Sequence, residues 1–212
     1  MPLNSKETDW VIAHYARLGV ELRVYPDVYD PAEDSFLLAD NLDVGKGDEV
    51  LDVGCGCGLQ SIVSAKLGAK RVVAVDINRN AVENTEFNAR ELGVSGVVQA
   101  RESDLFSSVT ESFDAIVFNP PYLPEEGAGD KKMSTVLDKA WAGGAKGHET
   151  LLRFLRDAKK HLNDNGRVYF VISNITGQED VEKELARLEY KFQVVAREKL
   201  FFEELLVYKA SI

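Results

Sequence analysis

Two short stretches carry residue types and spacings able to do chemistry. The first is Asn119-Pro120-Pro121-Tyr122. Proline restricts the residue before it to extended conformations, so Asn119 and Pro120 are both held stiffly, and neither proline has an N–H to donate. The corner therefore offers acceptors, the Asn119 side-chain oxygen and the Pro120 carbonyl, with Tyr122 next to them to stack on something planar. Two fixed acceptors suit a flat –NH₂ group, whose hydrogens they would orient while its nitrogen faces an electrophile. The bland reading of the same four residues is a rigid turn leaving a strand.

The second stretch is Leu51-Asp52-Val53-Gly54-Cys55-Gly56-Cys57-Gly58. Glycines between a strand and a helix let the backbone come close to a ligand. A dinucleotide fingerprint needs glycine at the first, third and sixth places. Here the sixth place is Leu59 counted from Gly54 and Ser61 counted from Gly56. Asp52, just ahead of the loop, would repel a pyrophosphate and attract a cation. S-adenosylmethionine has no phosphate but carries a sulfonium and an ammonium, and an acidic glycine loop suits it.

Two more acids extend the constellation. Asp76 follows the next apolar run, where a carboxylate can accept both ribose hydroxyls of an adenosine; NAD proteins share that feature. Asp104, in Ser103-Asp104-Leu105, is placed to meet an adenine amino group, with Leu105 against the ring. Taken alone, Asp104 reads as a solvated loop acid.

These residues have to be positioned by elements whose apolar periodicity is legible. Residues 49–53, 71–76, 96–101 and 113–119 read as strands, and residues 59–67 as the helix after the glycines. Val82, Thr85, Ala89 and Leu92 lie on one face of a further helix. Leu151, Leu155, Ala158 and Leu162 make another stripe, followed by a strand from Arg167 to Ser173 and a helix near 178–188. The last two strands, about 190–198 and 202–209, are too close for a crossover and should pair antiparallel. Alternation of this kind predicts an α/β fold, an open and mostly parallel sheet with helices on both faces. Asp52, Asp76, Asp104 and Asn119 then all fall at carboxyl ends of strands, the edge where such sheets bind ligands. Ahead of this unit the reading places a helix near 5–18, and a second one with Asp30 as N-cap and Pro31 as its first residue. The expected organisation is a helical extension over 1–27 and one domain over 28–212.

Composition limits the alternatives. With 25 Lys plus Arg against 35 Asp plus Glu, the formal charge is −10. Nucleic-acid binders usually show a basic face, and Lys131-Lys132 and Lys159-Lys160-His161 are the longest basic clusters, so nucleic acid is disfavoured. Cys55 and Cys57 have neither a disulfide nor a zinc spacing. His14, His148 and His161 have no ligand partner near them in sequence, and no metal site is expected. Without a signal-peptide layout or an apolar run of membrane length, the expected location is the cytoplasm.

The set from Asp52 to Tyr122 resembles class I methyltransferases that modify amide or exocyclic amino nitrogens, and Rossmann-like sheets of seven strands with an antiparallel last strand are their fold. Val28-Tyr29-Asp30-Pro31-Ala32-Glu33-Asp34-Ser35-Phe36-Leu37-Leu38 and Ala140-Trp141-Ala142-Gly143-Gly144 narrow the likeness. The chain from about Val28 to its end is similar to the archaeal and eukaryotic branch of the HemK/PrmC family, which methylates the glutamine of a Gly-Gly-Gln motif in peptide-release factors. The resemblance implies that Ser35, Asp52, Gly54, Gly56, Asp76, Asp104, Leu105 and Asn119 contact S-adenosylmethionine. It also implies that Asn119, Pro120, Pro121 and Tyr122 form the catalytic corner and that Asn119, Pro120 and Tyr122 hold the substrate amide. Bacterial relatives have a separate helical domain that grips the release factor; branch members pair instead with a small zinc-binding activator, and a heterodimer of that kind is the expectation here. The glycine-rich segment from Leu123 to Gly147 is expected to form a substrate-shaping flap, with Trp141 either a wall of the slot or an anchor for the flap. Rival readings are an adenine-N6 methyltransferase, a lysine-modifying methyltransferase and a catalytically dead subunit.

Overall fold

The strands that carry the site include three short and largely buried apolar runs, Glu49–Val53, Arg71–Asp76 and Phe113–Phe118, ended by a glycine, an acid and a proline corner. In a computed structural model, which describes residues 10–122 and 147–212, they assemble into one sheet of seven strands in the order β5-β4-β3-β6-β7-β9-β8. These are β3 (Glu49–Val53), β4 (Arg71–Asp76), β5 (Val98–Glu102), β6 (Phe113–Phe118), β7 (Leu162–Ser173), β8 (Lys191–Lys199) and β9 (Glu204–Ser211). The pairs among β5, β4, β3, β6 and β7 are parallel, while β9 runs antiparallel to both β7 and β8.

Both faces of the sheet are covered, which is why its central strands read as nearly continuous apolar runs and do not alternate. Val50, Val72, Ala115 and Val117 point to one core, and Leu51, Val73, Ile116 and Phe118 to the other. On the first face lie α1 (Glu33–Asp40), α2 (Leu59–Leu67) and α3 (Arg79–Glu91), which contribute Leu38, Ile62 and Ala89. On the second lie α4 (Glu149–Ala158) and α5 (Gln178–Arg187), which contribute Phe154, Leu155 and Leu185. The seven-stranded, mostly parallel architecture with an antiparallel last strand is the one expected from the sequence.

Three sequence expectations need correction. Where a helix was expected near 5–18, the described part is a hairpin of β1 (Val11–Tyr15) and β2 (Val20–Val24), joined through a 3-10 turn at Ala16–Leu18. Its alternation puts Ala13, Tyr15, Val20, Leu22 and Val24 inside, and Gly19, in the left-handed region at φ 58°, ends the turn. The expected N-terminal extension is thus not helical from Val11 onward. The hairpin is fixed to α3 by two buried amides: Asn84 accepts from the Tyr25 N–H and donates to the Arg23 carbonyl, and Asn88 accepts from the Arg23 N–H. The second helix begins at Glu33, with Ala32 as its N-cap and no side-chain cap, so Asp30 and Pro31 belong to the loop before it. Leu162, read as the last residue of a helical stripe, opens β7 after a 3-10 turn at Lys159–His161. Residues 1–9, the Lys131-Lys132 pair, the Ala140–Gly144 motif with Trp141, and all of the expected flap before Gly147 lie outside the described residues.

Candidate active site

The site is built where four parallel strands end. Gly54, Ser103-Asp104 and Asn119 follow β3, β5 and β6, Asp76 ends β4, and all of them line one cavity of about 420 Å³, a size usual for small-molecule sites. Gly54 (φ 66°) and Gly56 (φ 55°) take left-handed conformations that bend the chain sharply from β3 toward α2. A side chain at Gly54 would meet the Phe118 ring at 3.3 Å, so β6 sits tight against the loop. From the other side α3 pins it. Thr85 donates to the Gly56 carbonyl (3.1 Å) and Asn88 to the Cys57 carbonyl (2.8 Å). Cys55 and Cys57 are buried and free; burial drives the Cys55 thiol well up and the Cys57 thiol to about 12, which leaves both inert.

The acids take different roles. Asp76 lines the cavity and is fixed by the Gly56 N–H (3.0 Å) and the Asn78 N–H (2.8 Å); burial raises its pKa, opposed by those backbone bonds. Asp104 also lines the cavity, paired with Arg153 of α4 at 3.2 Å. Leu105 next to it lies at φ 49°, its carbonyl held by the Ser103 hydroxyl. Asp52, by contrast, is not among the lining residues. It lies beneath the loop, 1% exposed, accepting from the Ser61 hydroxyl at 2.6 Å, and burial pushes its carboxyl up to about 7. Among the described residues the negative lining comes instead from Asp27, Asp34, Asp76 and Asp104, against the single cation Arg153.

Asp34 is the residue that sequence reading passed over. It is buried, and its two oxygens collect five donors. Oδ1 accepts from the Tyr29 hydroxyl (3.0 Å), the Ser35 N–H (2.6 Å) and the Ser35 hydroxyl (3.1 Å). Oδ2 accepts from Asn119 Nδ2 and from the Tyr122 hydroxyl, each at 3.1 Å. A second Asn119 hydrogen goes to Ser35 Oγ at 3.0 Å. Both amide hydrogens are therefore spent, the amide orientation is set, and Asn119 Oδ1 is left buried without a partner among the described residues. Gln60 shows the same pattern: Nε2 donates to the Ser35 carbonyl (2.8 Å), while Oε1 is buried and unpaired. An orphaned buried acceptor costs about 1–3 kcal/mol. Both of these acceptors belong to residues that line the cavity. Burial and the Asp34 charge raise the Tyr29 and Tyr122 hydroxyls, so both stay protonated as donors. Apart from Asp52, every residue expected at the site lines this cavity: Ser35, Gly54, Gly56, Asp76, Asp104, Leu105, Asn119, Pro120, Pro121 and Tyr122. Asp34 and Tyr29 fall inside a segment notable in the sequence, yet nothing local marks Asp34 as a hub; Gln60 and Arg153 have no sequence signal at all.

Comparison with known proteins agrees with this geometry. The family model "Methyltransferase small domain" matches residues 27–202, and a putative protein N5-glutamine methyltransferase of Methanocaldococcus jannaschii is 44% identical over 192 residues, 91% of this chain and 95% of that one. The chain belongs to this methyltransferase family. It is an enzyme whose methyl donor is S-adenosylmethionine. The human methyltransferase HEMK2 is 34% identical over 170 residues, 75% of this methyltransferase and 78% of the human one. Among solved structures, that of the E. cuniculi Mtq2–Trm112 complex, responsible for methylation of the eRF1 termination factor, aligns with a TM-score of 0.67 at 24% identity, over 88% of this methyltransferase and 99% of that chain. At that identity the likeness is one of fold.

Proposed function

We propose that this methyltransferase alkylates the side-chain amide nitrogen of the glutamine in the Gly-Gly-Gln loop of a peptide chain release factor. The observation that carries the reading is the set amide of Asn119, both hydrogens held by Asp34 and Ser35 and its oxygen left without a donor. That oxygen takes one N–H of a substrate –NH₂ group. The Pro120 carbonyl takes the other, and Tyr122 packs along the plane of the amide. The activity in the name of the 44% identical relative supports a glutamine amide over an adenine, as does the charge of −10.

Asp76, Asp104, Leu105, Ser35 and the turns at Gly54 and Gly56 hold the cofactor, with Asp76 accepting from ribose hydroxyls and Asp104 from the adenine. Asp52 supports the loop from below. The described residues fit a cation: among them are four carboxylates against one guanidinium in the lining, and two acceptors without donors. S-adenosylmethionine, when bound, supplies a methyl group on a sulfonium and so needs little activation. An amide nitrogen is a poor nucleophile, so the residues of the corner contribute mostly by orienting it and polarising its N–H bonds. No histidine or cysteine serves as base. We assign residues 28–212 to one catalytic domain, the segment after Tyr122 to shaping the substrate slot, and the cytoplasm as its location. A small zinc-binding activator protein is the proposed partner, supported by the neighbour solved as a two-protein complex. The test is transfer of labelled methyl from S-adenosylmethionine to a release factor, with a Gln→Ala loop variant and with nucleic acid as alternative acceptors. Label on the native factor alone is expected; label on the loop variant or on nucleic acid overturns the assignment.

A further inference from the structure

Contiguous exposed apolar side chains, unlike scattered ones, mark interaction surfaces. Phe201 and Phe202 are 92% and 87% exposed, packed edge to face with centroids 4.6 Å apart. They form the tip of the turn between β8 and β9, closed by the Leu200 N–H on the Glu203 carbonyl at 2.8 Å. The turn is braced from the loop after β7, where the Asn174 N–H donates to the Glu204 carbonyl and Asn174 Oδ1 accepts from the Glu204 N–H, both at 2.9 Å. Ile175, 64% exposed, stands in that same loop. Because β8 runs parallel to β7, this turn lies at the carboxyl edge of the sheet, the edge that holds the cavity. It is also near the corner: the Glu203 carboxylate reaches the Tyr122 hydroxyl electrostatically, and Leu200 packs on the same core cluster as Tyr122.

We infer that Phe201, Phe202 and Ile175 form the docking surface for the body of the protein substrate, beside the loop whose glutamine enters the corner. The inference rests on the proposed function and extends it to how that substrate is gripped. A glutamine presented on a loop must bring its own domain over the mouth of the cavity, and the turn that carries the aromatic pair stands at the same edge of the sheet. Glu198, Glu203 and Glu204 are neighbours of the pair in sequence, against Lys199 and Arg197, and Arg197 is already bound to Glu204. The patch is therefore apolar with an acidic margin, which fits an apolar protein surface with basic neighbours and repels a phosphate backbone. Aromatic anchors of this kind carry a large share of interface energy.

The experiment compares the wild-type enzyme with Phe201→Ser/Phe202→Ser and with Phe201→Leu/Phe202→Leu, measuring kcat and KM for full-length release factor, cofactor affinity, melting temperature and sedimentation. The serine variant is expected to raise KM for release factor at least about tenfold, with kcat at saturation and cofactor affinity unchanged, and the leucine variant to fall between. An unchanged KM overturns the inference. So does a lowered melting temperature, which shows that the chain itself covers the pair, or a wild-type dimer that the serine variant dissociates, or lost binding of an activator protein with KM unaltered. If the wild type transfers no methyl to release factor, the proposed function fails instead, and the two failures are distinct.

Discussion

Replacing Asp34 by asparagine keeps the shape of the buried hub and changes what it can accept. The carboxylate takes three donors on Oδ1 and two on Oδ2. An asparagine has one oxygen, and three donors at Oδ1, one of them the Ser35 N–H at 2.6 Å, fix that oxygen there. Its –NH₂ group then faces the Nδ2 of Asn119 and the hydroxyl of Tyr122, donor against donor. Asn119 relieves the conflict by turning its amide over, so that its oxygen accepts from the new –NH₂ and its own –NH₂ faces the substrate. The corner would then repel the group it is built to hold. Each hydrogen bond to a charged acceptor is worth roughly 1.5–3 kcal/mol, and if one such bond decides the flip, the competent orientation falls to between about a tenth and a hundredth of the population. Asp34→Asn should therefore lower kcat about 10- to 100-fold, with cofactor affinity changed by less than about tenfold, because Asp76 and the glycine loop keep their geometry. Single-turnover methyl transfer and calorimetric titration of the cofactor separate the two. Turnover within about threefold of wild type would show that the orientation of Asn119 is not set by Asp34, and would refute the reasoning.

Three further outcomes follow from the same geometry. Asp76→Ala should weaken S-adenosylmethionine binding at least about tenfold, since it removes a fixed carboxylate acceptor; calorimetry at unchanged affinity would remove Asp76 from the cofactor site. Asp52, raised by burial from an ordinary 3.8 to about 7, binds its proton more tightly folded than unfolded. Its contribution to stability is full below about pH 4 and is lost as pH rises through about 7. Asp52→Asn keeps an acceptor for Ser61 and drops that dependence, so relative to wild type it should gain up to ~3 kcal/mol between pH 5 and pH 8 by chemical denaturation; a difference that does not move with pH would contradict the buried-acid account. Gly177, at φ 83° as the N-cap of α5, lies so close to the buried His148 ring that a methyl there would overlap it. Gly177→Ala should destabilise by about 2–4 kcal/mol through left-handed strain plus overpacking, read as a lower melting temperature.

How much of this was readable beforehand depended on how far each interaction reaches along the chain. The ends of β3, β4 and β6 were legible because short apolar runs stop at Gly54, Asp76 and the proline corner. The glycine spacing was enough to reject a dinucleotide. The hairpin was missed because two five-residue strands around a 3-10 turn leave a pattern short enough to pass for a helix, and what fixes it as a hairpin is its docking on Asn84 and Asn88, some 60 residues away. The start of α1 was placed too early because Asp30 and Pro31 carry a helix-start signal; Pro31 instead lines the cavity. Asp52 looked like a ligand acid on its position alone, and only three-dimensional burial separates it from Asp76. The Asp34 hub joins residues 85 and 88 positions apart in sequence, and no local pattern could announce that.

The central claim is that the methyl group ends on the amide nitrogen of one glutamine. Tandem mass spectrometry of a release factor digested after incubation with the enzyme and S-adenosylmethionine reads this directly. The account predicts a single methyl increment on the side chain of the Gly-Gly-Gln glutamine, absent when Asn119→Ala enzyme is used. A methyl group on lysine, on the main chain, or on adenine of added nucleic acid with the glutamine unmodified would contradict it.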